Sequence, residues 1–86
     1  MAIGFVLIRT EMNKEREVYA KLLKIKGIME VHPLFGEYDF IAKVQAKDFN
    51  ALGRVIINKV RKVKGVTDTK TLTWSWAVKW KEWGSV

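Results

Sequence analysis

The residues best suited to bind a small polar molecule lie in one short stretch, Gly36-Glu37-Tyr38-Asp39. A glycine turn leaves backbone N–H groups uncovered, and such groups can hold a carboxylate as backbone nests hold anions. The simplest role for Gly36 is to give the turn a backbone conformation that a side chain would forbid. Asp39 could accept a hydrogen bond from a ligand ammonium group, or it could satisfy amides of the turn itself. The sequence leaves these alternatives open.

A second set of polar side chains recurs at alternate positions near the end of the chain, at Thr69, Thr71 and Thr73. Side chains two residues apart share one face of a strand, so the three hydroxyl groups are expected on a common surface. They could hydrogen-bond a polar ligand, or they could simply form a solvated strand surface, for which threonine is well suited.

Groups typical of catalytic or metal sites are sparse. His32 is the only histidine, and the chain has no cysteine. Asp39 and Asp68 stand apart from other candidate ligands, so no zinc-ligand spacing and no Ser-His-Asp set can be assembled. No phosphate-binding glycine loop is present either. The sequence therefore predicts a binding protein without a cofactor or metal, and not an enzyme.

The charge balance is basic, because 16 Lys and Arg against 9 Asp and Glu give a net charge of +7. The basic residues are spread over two helical segments and the C-terminal end, as expected for solvated helix faces; attraction to nucleic acid is the alternative. No run approaches the roughly 20 apolar residues of a membrane span. The start of the chain also lacks the features of a signal peptide. We therefore expect a cytoplasmic protein with no membrane partner.

Six elements are predicted to position these groups. Residues 2–9 are apolar at nearly every position, as in a strand buried on both faces. Asn13 and Asp48 are candidate helix N-caps, and Gly27 and Gly65 are candidate helix ends. The predicted strands are 2–9, 28–35, 38–45 and 66–80, and the predicted helices are 13–27 and 48–65.

The resulting order βαββαβ predicts one α+β domain over residues 1–86. Lys26-Gly27-Ile28 recurs as Lys64-Gly65-Val66, so the chain consists of two β-α-β half-units that share one turn sequence. Right-handed crossovers then give a ferredoxin-like antiparallel sheet of four strands with two helices on one face. Strands one and three should be central, with strands two and four at the edges. Pro33 agrees with an edge position for strand two.

Apolar residues that this domain cannot cover indicate self-association. Phe5 and Leu7 lie in a strand whose second face needs a covering layer, and a partner sheet would provide it. The last predicted strand is longer than the first strand, beside which it should lie. It ends in a tryptophan-rich segment that is too apolar for open solvent. Part of this segment also fits helical spacing. The tryptophans assigned to an interface are Trp74, Trp76, Trp80 and Trp83.

An RNA-recognition domain has the same element order and displays aromatic residues on its third strand. Tyr38 and Phe40 invite this comparison, but exposing them would also expose Ala42 and Val44. It would then bury Lys43 and other polar residues beneath the helices, which is costly. Nucleic-acid binding through the basic Trp/Lys-rich end of the chain is therefore kept only as the alternative function.

The segment from Gly36 to Val44 resembles the Gly-x-Tyr-Asp region of the amino-acid-metabolism (RAM) domain of Lrp/AsnC, or feast/famine, regulators. The helix before Gly27-Ile28, the Lys47-Asp48 helix start and the Thr69-x-Thr71 run follow in the order of that family. The resemblance covers nearly the whole chain. Because the first strand is predicted to begin at residue 2, the chain resembles the stand-alone form without a helix-turn-helix, and direct DNA binding is not expected.

The resemblance implies dimers formed through sheet faces, further assembly of the dimers, and amino-acid effectors bound between dimers near the hairpin. We therefore expect an oligomeric effector-sensing domain that modulates transcription or metabolism. Full-length Lrp/AsnC regulators are a further candidate partner. The expected ligand-binding residues are Leu34, Gly36, Glu37, Tyr38, Asp39, Thr69, Thr71 and Thr73, and the expected interface includes Phe5, Leu7 and the four tryptophans.

Overall fold

Strands and helices follow one another in the order βαββαβ in the computed structural model, which describes residues 1–73. The second helix continues into a π-helical turn at Ile56–Val60. The elements are β1 (Ala2–Thr10), α1 (Glu15–Leu23), β2 (Ile28–Pro33), β3 (Phe40–Ala46), α2 (Phe49–Val55) and β4 (Val66–Thr73).

The four strands form one antiparallel sheet in the order β2-β3-β1-β4. This confirms the ferredoxin-like fold, with β1 and β3 central and β2 and β4 at the edges. Pro33 is the last residue of edge strand β2, where its missing N–H interrupts no central ladder. Within the sheet, β1 pairs with β3 from Ala2 opposite Ala46 to Ile8 opposite Phe40.

The core lies between one face of the sheet and the two helices. Alternate residues of β1 and β3 are buried there, as period-two burial requires. Helix α1 contributes Val18 and Leu22, and both are fully buried. The buried apolar residues are Ala2, Val6, Ile8, Val18, Leu22, Val31, Phe40, Ala42, Val44, Leu52, Ile56 and Val60.

The two half-units end in the same turn, as the repeated Lys-Gly motif predicted. Gly27 and Gly65 have φ values of +105° and +102°, which favour glycine. Each glycine carbonyl accepts a hydrogen bond of 2.8 Å from a backbone amide of the other half-unit. The donor is Gln45 of β3 for Gly27, and Glu11, just after β1, for Gly65. A Cβ on Gly65 would also lie 2.8 Å from Val18 Cγ2. These turns therefore lock each helix onto the sheet.

The first helix is shorter than predicted at both ends. Asn13 is not its N-cap, because Asn13 has a φ of 68° and Lys14 occupies the cap position. The helix ends at Leu23 rather than Gly27, and tighter bonds such as Ile25 N–H to Leu22 O complete the turn. Asp48, in contrast, caps α2 as predicted and accepts a 2.7 Å bond from the Ala51 amide.

The hairpin between β2 and β3 is wider than the predicted Gly36-Glu37 turn. Strand β2 ends at Pro33 rather than residue 35, and β3 begins at Phe40 rather than Tyr38. Residues 34–39 therefore form a loop, which we call the hairpin loop. The predicted phase of β3 is confirmed, since Phe40, Ala42 and Val44 are all buried.

The sheet face opposite the helices carries an apolar strip. Phe5 pairs with Leu72 across β1 and β4, and Leu7 pairs with Ile41 across β1 and β3. Directly paired residues share a face, and Phe5 and Leu72 are exposed. The predicted positions of Phe5 and Leu7 on a second sheet face are thus correct. The predicted strand over 74–80 and the interface residues Trp74, Trp76, Trp80 and Trp83 lie outside the described residues.

Candidate functional site at the hairpin loop

The hairpin loop closes through a backbone bond of 2.8 Å from the Leu34 amide to the Asp39 carbonyl. The Asp39 amide in turn donates to the Ile8 carbonyl at 2.8 Å, which joins the loop to central strand β1. Gly36 lies between them with a φ of +111°. This region favours glycine, so the predicted conformational role of Gly36 is correct.

Arg9, at the end of β1, holds the loop from the side. Its Nε donates to the Glu37 carbonyl oxygen at 3.0 Å, and its Nη2 donates to Glu37 Oε1 at 3.0 Å. The guanidinium carbon also lies 5.1 Å from the centroid of the Tyr38 ring, within range of a cation–π interaction. The planar fork of arginine is suited to such a two-point contact.

Asp39 fastens the other end of the loop to Thr10. Its Oδ2 accepts a 2.7 Å bond from the Thr10 amide and a 3.1 Å bond from Thr10 Oγ1. Thr10 is buried, so its amide needs a partner inside the protein. Of the two roles open from the sequence, the carboxylate thus satisfies protein donors, although these belong to β1 rather than to the turn.

The tip of the loop leaves backbone donors open. Phe35 and Gly36 make no hydrogen bond to any other residue within 1–73. Phe35 is fully exposed, and apart from Gly36 and its chain neighbours no atom of residues 1–73 lies within 4 Å of where a Gly36 Cβ would be. An exposed pair of amides beside a positive-φ glycine is the arrangement that binds a carboxylate. The loop tip can therefore receive an anion or another subunit.

Thr69 and Thr71 share one face of β4, as predicted, and this face is on the helix side of the sheet. Thr69 pairs with Ile8 and Thr71 with Val6, while Thr73 lies opposite Gly4. Because Ile8 is bonded to the hairpin loop, Thr69 is about two strand spacings, roughly 10 Å, from it. Thr73 is four residues further, roughly 13 Å along the strand. Within one subunit, only Thr69 is close to the loop.

The interpretation of His32 as a surface residue is correct. Its Nε2 lies 2.9 Å from Glu30 Oε1, and both side chains are exposed. Lys43 Nζ is 3.7 Å from the other oxygen of Glu30. The hydrogen bond from His32 is the main reason that the pKa of Glu30 is lowered, and Lys43 adds to the effect. Residues 1–73 contain no group of three side chains that could hold a metal ion.

The aromatic residues of β3 are not displayed as they are in an RNA-recognition domain, and the alternation of apolar residues along β3 predicted this. Phe40 is buried and stacks on Tyr19 of α1, with ring centroids 5.8 Å apart. It cannot offer its face to a base. The basic Trp/Lys-rich end that motivated the nucleic-acid alternative lies outside the described residues, so that alternative stays a prediction.

Residues 3–80 match the family described as the Lrp/AsnC ligand binding domain. The chain belongs to this family. The assignment confirms the resemblance drawn from the Gly36–Asp39 segment, and the hairpin loop is the part of this Lrp/AsnC domain where that segment lies. Within residues 1–73, no helix has the length and apolar character that crossing a bilayer requires.

Relatives that match most of this Lrp/AsnC domain are transcription regulators. An uncharacterized HTH-type transcriptional regulator of Pyrococcus horikoshii is 38% identical over 72 residues, covering 80% of this chain and 48% of the regulator. The chain thus spans about half the length of the curated relatives it matches. A homocitrate synthase of Sulfurisphaera tokodaii is 46% identical over 54 residues, but these cover 63% of the chain and only 12% of the enzyme.

Solved structures give the same fold. The crystal structure described as FFRP-DM1 has a TM-score of 0.82 and 36% identity, covering 87% of this chain and 100% of that one. A transcriptional regulator of Neisseria meningitidis, solved as a complex with L-methionine, has a TM-score of 0.75. It is 20% identical and covers 91% of this chain and 52% of that one, so it shows the shared fold alone.

Proposed function

We propose that this domain is an oligomeric sensor that binds an amino acid, or a similar small metabolite, at its hairpin loop. Two subunits pair through their open sheet faces, and the loop of one dimer meets a neighbouring dimer to complete the site. Occupancy then modulates transcription or metabolism. The observation that carries the proposal is the pair of uncovered amides at Phe35 and Gly36 on a loop that is otherwise anchored.

The loop tip supplies the carboxylate end of the proposed site. Its donors are backbone groups, which cost no side-chain entropy to hold in place. Arg9 fixes Glu37 from one side, and Asp39 fixes the loop to Thr10 from the other. Such anchoring supports a preorganised site, since little ordering free energy is spent when the ligand binds.

Asp39 acts in this proposal mainly as a positioning residue, because its Oδ2 already accepts two bonds from Thr10. Glu37 is exposed and offers a carboxylate at the loop for the ligand ammonium group. Leu34 and Tyr38 border the tip and would contact the ligand side chain. Thr69, Thr71 and Thr73 would face the site from a neighbouring subunit, and their place on edge strand β4 supports this role.

The dimer would bury the apolar strip of Phe5, Leu7, Ile41 and Leu72. Exposed apolar residues that lie together on a sheet face commonly mark a protein interface. Sheet-on-sheet packing would cover them with an identical strip from the second subunit. The same face could also receive a full-length Lrp/AsnC regulator, and co-purification of the two proteins from a mixed expression would detect this.

Ligand binding can be tested by thermal-shift screening of the amino acids, with L-methionine among the first, followed by calorimetry of any hit. Gly36→Ala should weaken binding at least tenfold, because a φ of +111° is strained for alanine and the amides would turn away. Gly53→Ala is the matched control: Gly53 is helical and has open space at its Cβ. Its affinity should be unchanged.

Assembly can be tested by native mass spectrometry and light scattering. Phe5→Asp should yield monomers, because it places a charge in the strip that the partner sheet covers. Ile57→Asp is the control, since Ile57 is exposed in the π-helical turn after α2, away from this face. A wild-type monomer whose unfolding temperature is unaffected by every amino acid would contradict the proposed function.

A further inference from the structure

A second groove lies at the end of the sheet opposite the hairpin loop. It is bounded by the α1–β2 turn, the end of β3 and one side of α2, and it has a volume of about 1100 Å³. This is close to the upper size of small-ligand sites, roughly 1000 Å³. The groove is lined by Met1, Lys24, Ile25, Lys26, Gly27, Met29, Gln45, Ala46, Lys47, Ala51, Val55 and Lys59.

The floor of the groove is apolar, and the turn at Gly27 fixes its position. The Gln45 amide donates to the Gly27 carbonyl at 2.8 Å, which ties the turn to the end of β3. A Cβ on Gly27 would sit 3.7 Å from Val55, so the turn also abuts α2. The small side chains of Ala46 and Ala51 leave the depression between these elements.

The charged side chains that the described part of the chain places on the rim of the groove are all basic. They are Lys24, Lys26, Lys47 and Lys59, and no Asp or Glu of residues 1–73 lines the groove. None of these four lysines forms an ion pair within residues 1–73, although Lys14 and Lys43 elsewhere each have a glutamate within 4 Å. An apolar floor below uncompensated positive charge is complementary to a molecule with an apolar body and an anionic end.

We infer that this groove binds an amphiphilic carboxylate of the fatty-acid type. The apolar chain lies over Ala46, Ala51 and Val55, and the carboxylate meets the lysine rim. Strand β1 spans nine residues between the groove and the hairpin loop, which is roughly 26 Å. The two sites are therefore separate, and the inference does not rest on the proposed amino-acid function.

Other occupants fit less well. A nucleic acid would present its charge without an apolar chain for the aliphatic floor, and no aromatic side chain of residues 1–73 lines the groove for base stacking. Residues 74–86 carry Lys79 and Lys81 against one glutamate, Glu82, so this basic segment is a poor source of the negative charge.

The test uses dodecanoate below its micelle concentration as the probe, with dodecanol and dodecyltrimethylammonium as matched neutral and cationic probes. Calorimetry gives affinities, and amide NMR shifts locate the site. Dodecanoate should bind at least tenfold more tightly than either control probe and shift the amides of Ala51 and Val55. Lys24→Glu/Lys47→Glu should weaken binding at least tenfold, whereas Lys62→Glu/Lys64→Glu, with the same charge change outside the groove, should alter it less than twofold.

Ala51→Phe provides an uncharged second variant, because it fills the floor and should abolish dodecanoate binding while amino-acid binding at the loop persists. Equal losses in the two lysine double variants would overturn the inference, since they indicate long-range charge alone. Binding only to anionic phospholipid vesicles, or only to an acidic amphipathic peptide, would also overturn it. Those results would assign the groove to a membrane surface or a protein partner.

Discussion

Replacing Asp39 with alanine should destabilise the domain substantially, although Asp39 is in a surface loop. Its Oδ2 accepts bonds from the Thr10 amide at 2.7 Å and from Thr10 Oγ1 at 3.1 Å. Leaving the buried amide unsatisfied costs about 1–3 kcal/mol, and losing the hydroxyl bond adds about 1 kcal/mol. We therefore expect the free energy of unfolding to fall by about 2–4 kcal/mol.

The measurement is urea unfolding followed by circular dichroism, at one protein concentration because oligomerisation would stabilise the folded state. Asp68→Ala is the matched control: its carboxylate accepts a bond only from the adjacent, exposed Thr69 amide. This change should cost at most about 0.5 kcal/mol. Asp39→Asn keeps one acceptor oxygen and should fall between the two.

A double-mutant cycle separates the contact from other effects of the substitution. Thr10→Val removes the hydroxyl bond and keeps the amide, so its coupling to Asp39→Ala should be about 1 kcal/mol. If Asp39→Ala and Asp68→Ala proved equally mild, the positioning role would be refuted. Asp39 would then be free to act directly on a ligand.

Two further predictions follow from other contacts. Gly65→Ala should lower the free energy of unfolding in urea by more than about 2 kcal/mol, because φ is +102° and the new Cβ would lie 2.8 Å from Val18 Cγ2. A decrease equal to that of Gly53→Ala would contradict this. The pKa of Glu30 is lowered chiefly by its hydrogen bond from His32, so this contact stabilises the fold above the unfolded pKa and is lost as pH falls through the folded pKa. In NMR titrations, His32→Ala should raise the Glu30 pKa toward its ordinary value of 4.5, and an unchanged pKa would contradict the assignment.

Most of the fold could be predicted from residue patterns. The burial of Phe40, Ala42 and Val44 follows from period-two alternation, and the twin turns follow from Gly27 and Gly65. The boundaries of the helices were harder to predict from the sequence. Asn13 is favoured both at N-caps and in the left-handed conformation, and only the path from β1 into α1 selects the latter. No local sequence feature predicted the π-helical turn at Ile56–Val60.

Only some of the residues of the candidate site could be predicted from the sequence. Gly36 identified the loop because of its turn preference, whereas the role of Asp39 was left open between a ligand contact and the turn amides. Arg9 and Thr10 were not predicted as site residues. Their contacts to Glu37 and Asp39 span 28 and 29 residues and depend on the register of β1 against β3. A strand-terminal arginine was the one available signal, and it is ambiguous without that register.

The strand order also has a consequence for how the chain is made. Among the described strands, β1 pairs with β3 and β4, and β2 pairs with β3, so every ladder joins one half-unit to the other. During synthesis, the first half-unit therefore leaves the ribosome with no strand partner of its own. Sheet formation must wait for β3, and the high sequence separation of the β1–β3 and β1–β4 pairs favours slow folding. Nicked within the hairpin loop, the two halves should each be unstructured alone and fold only when mixed.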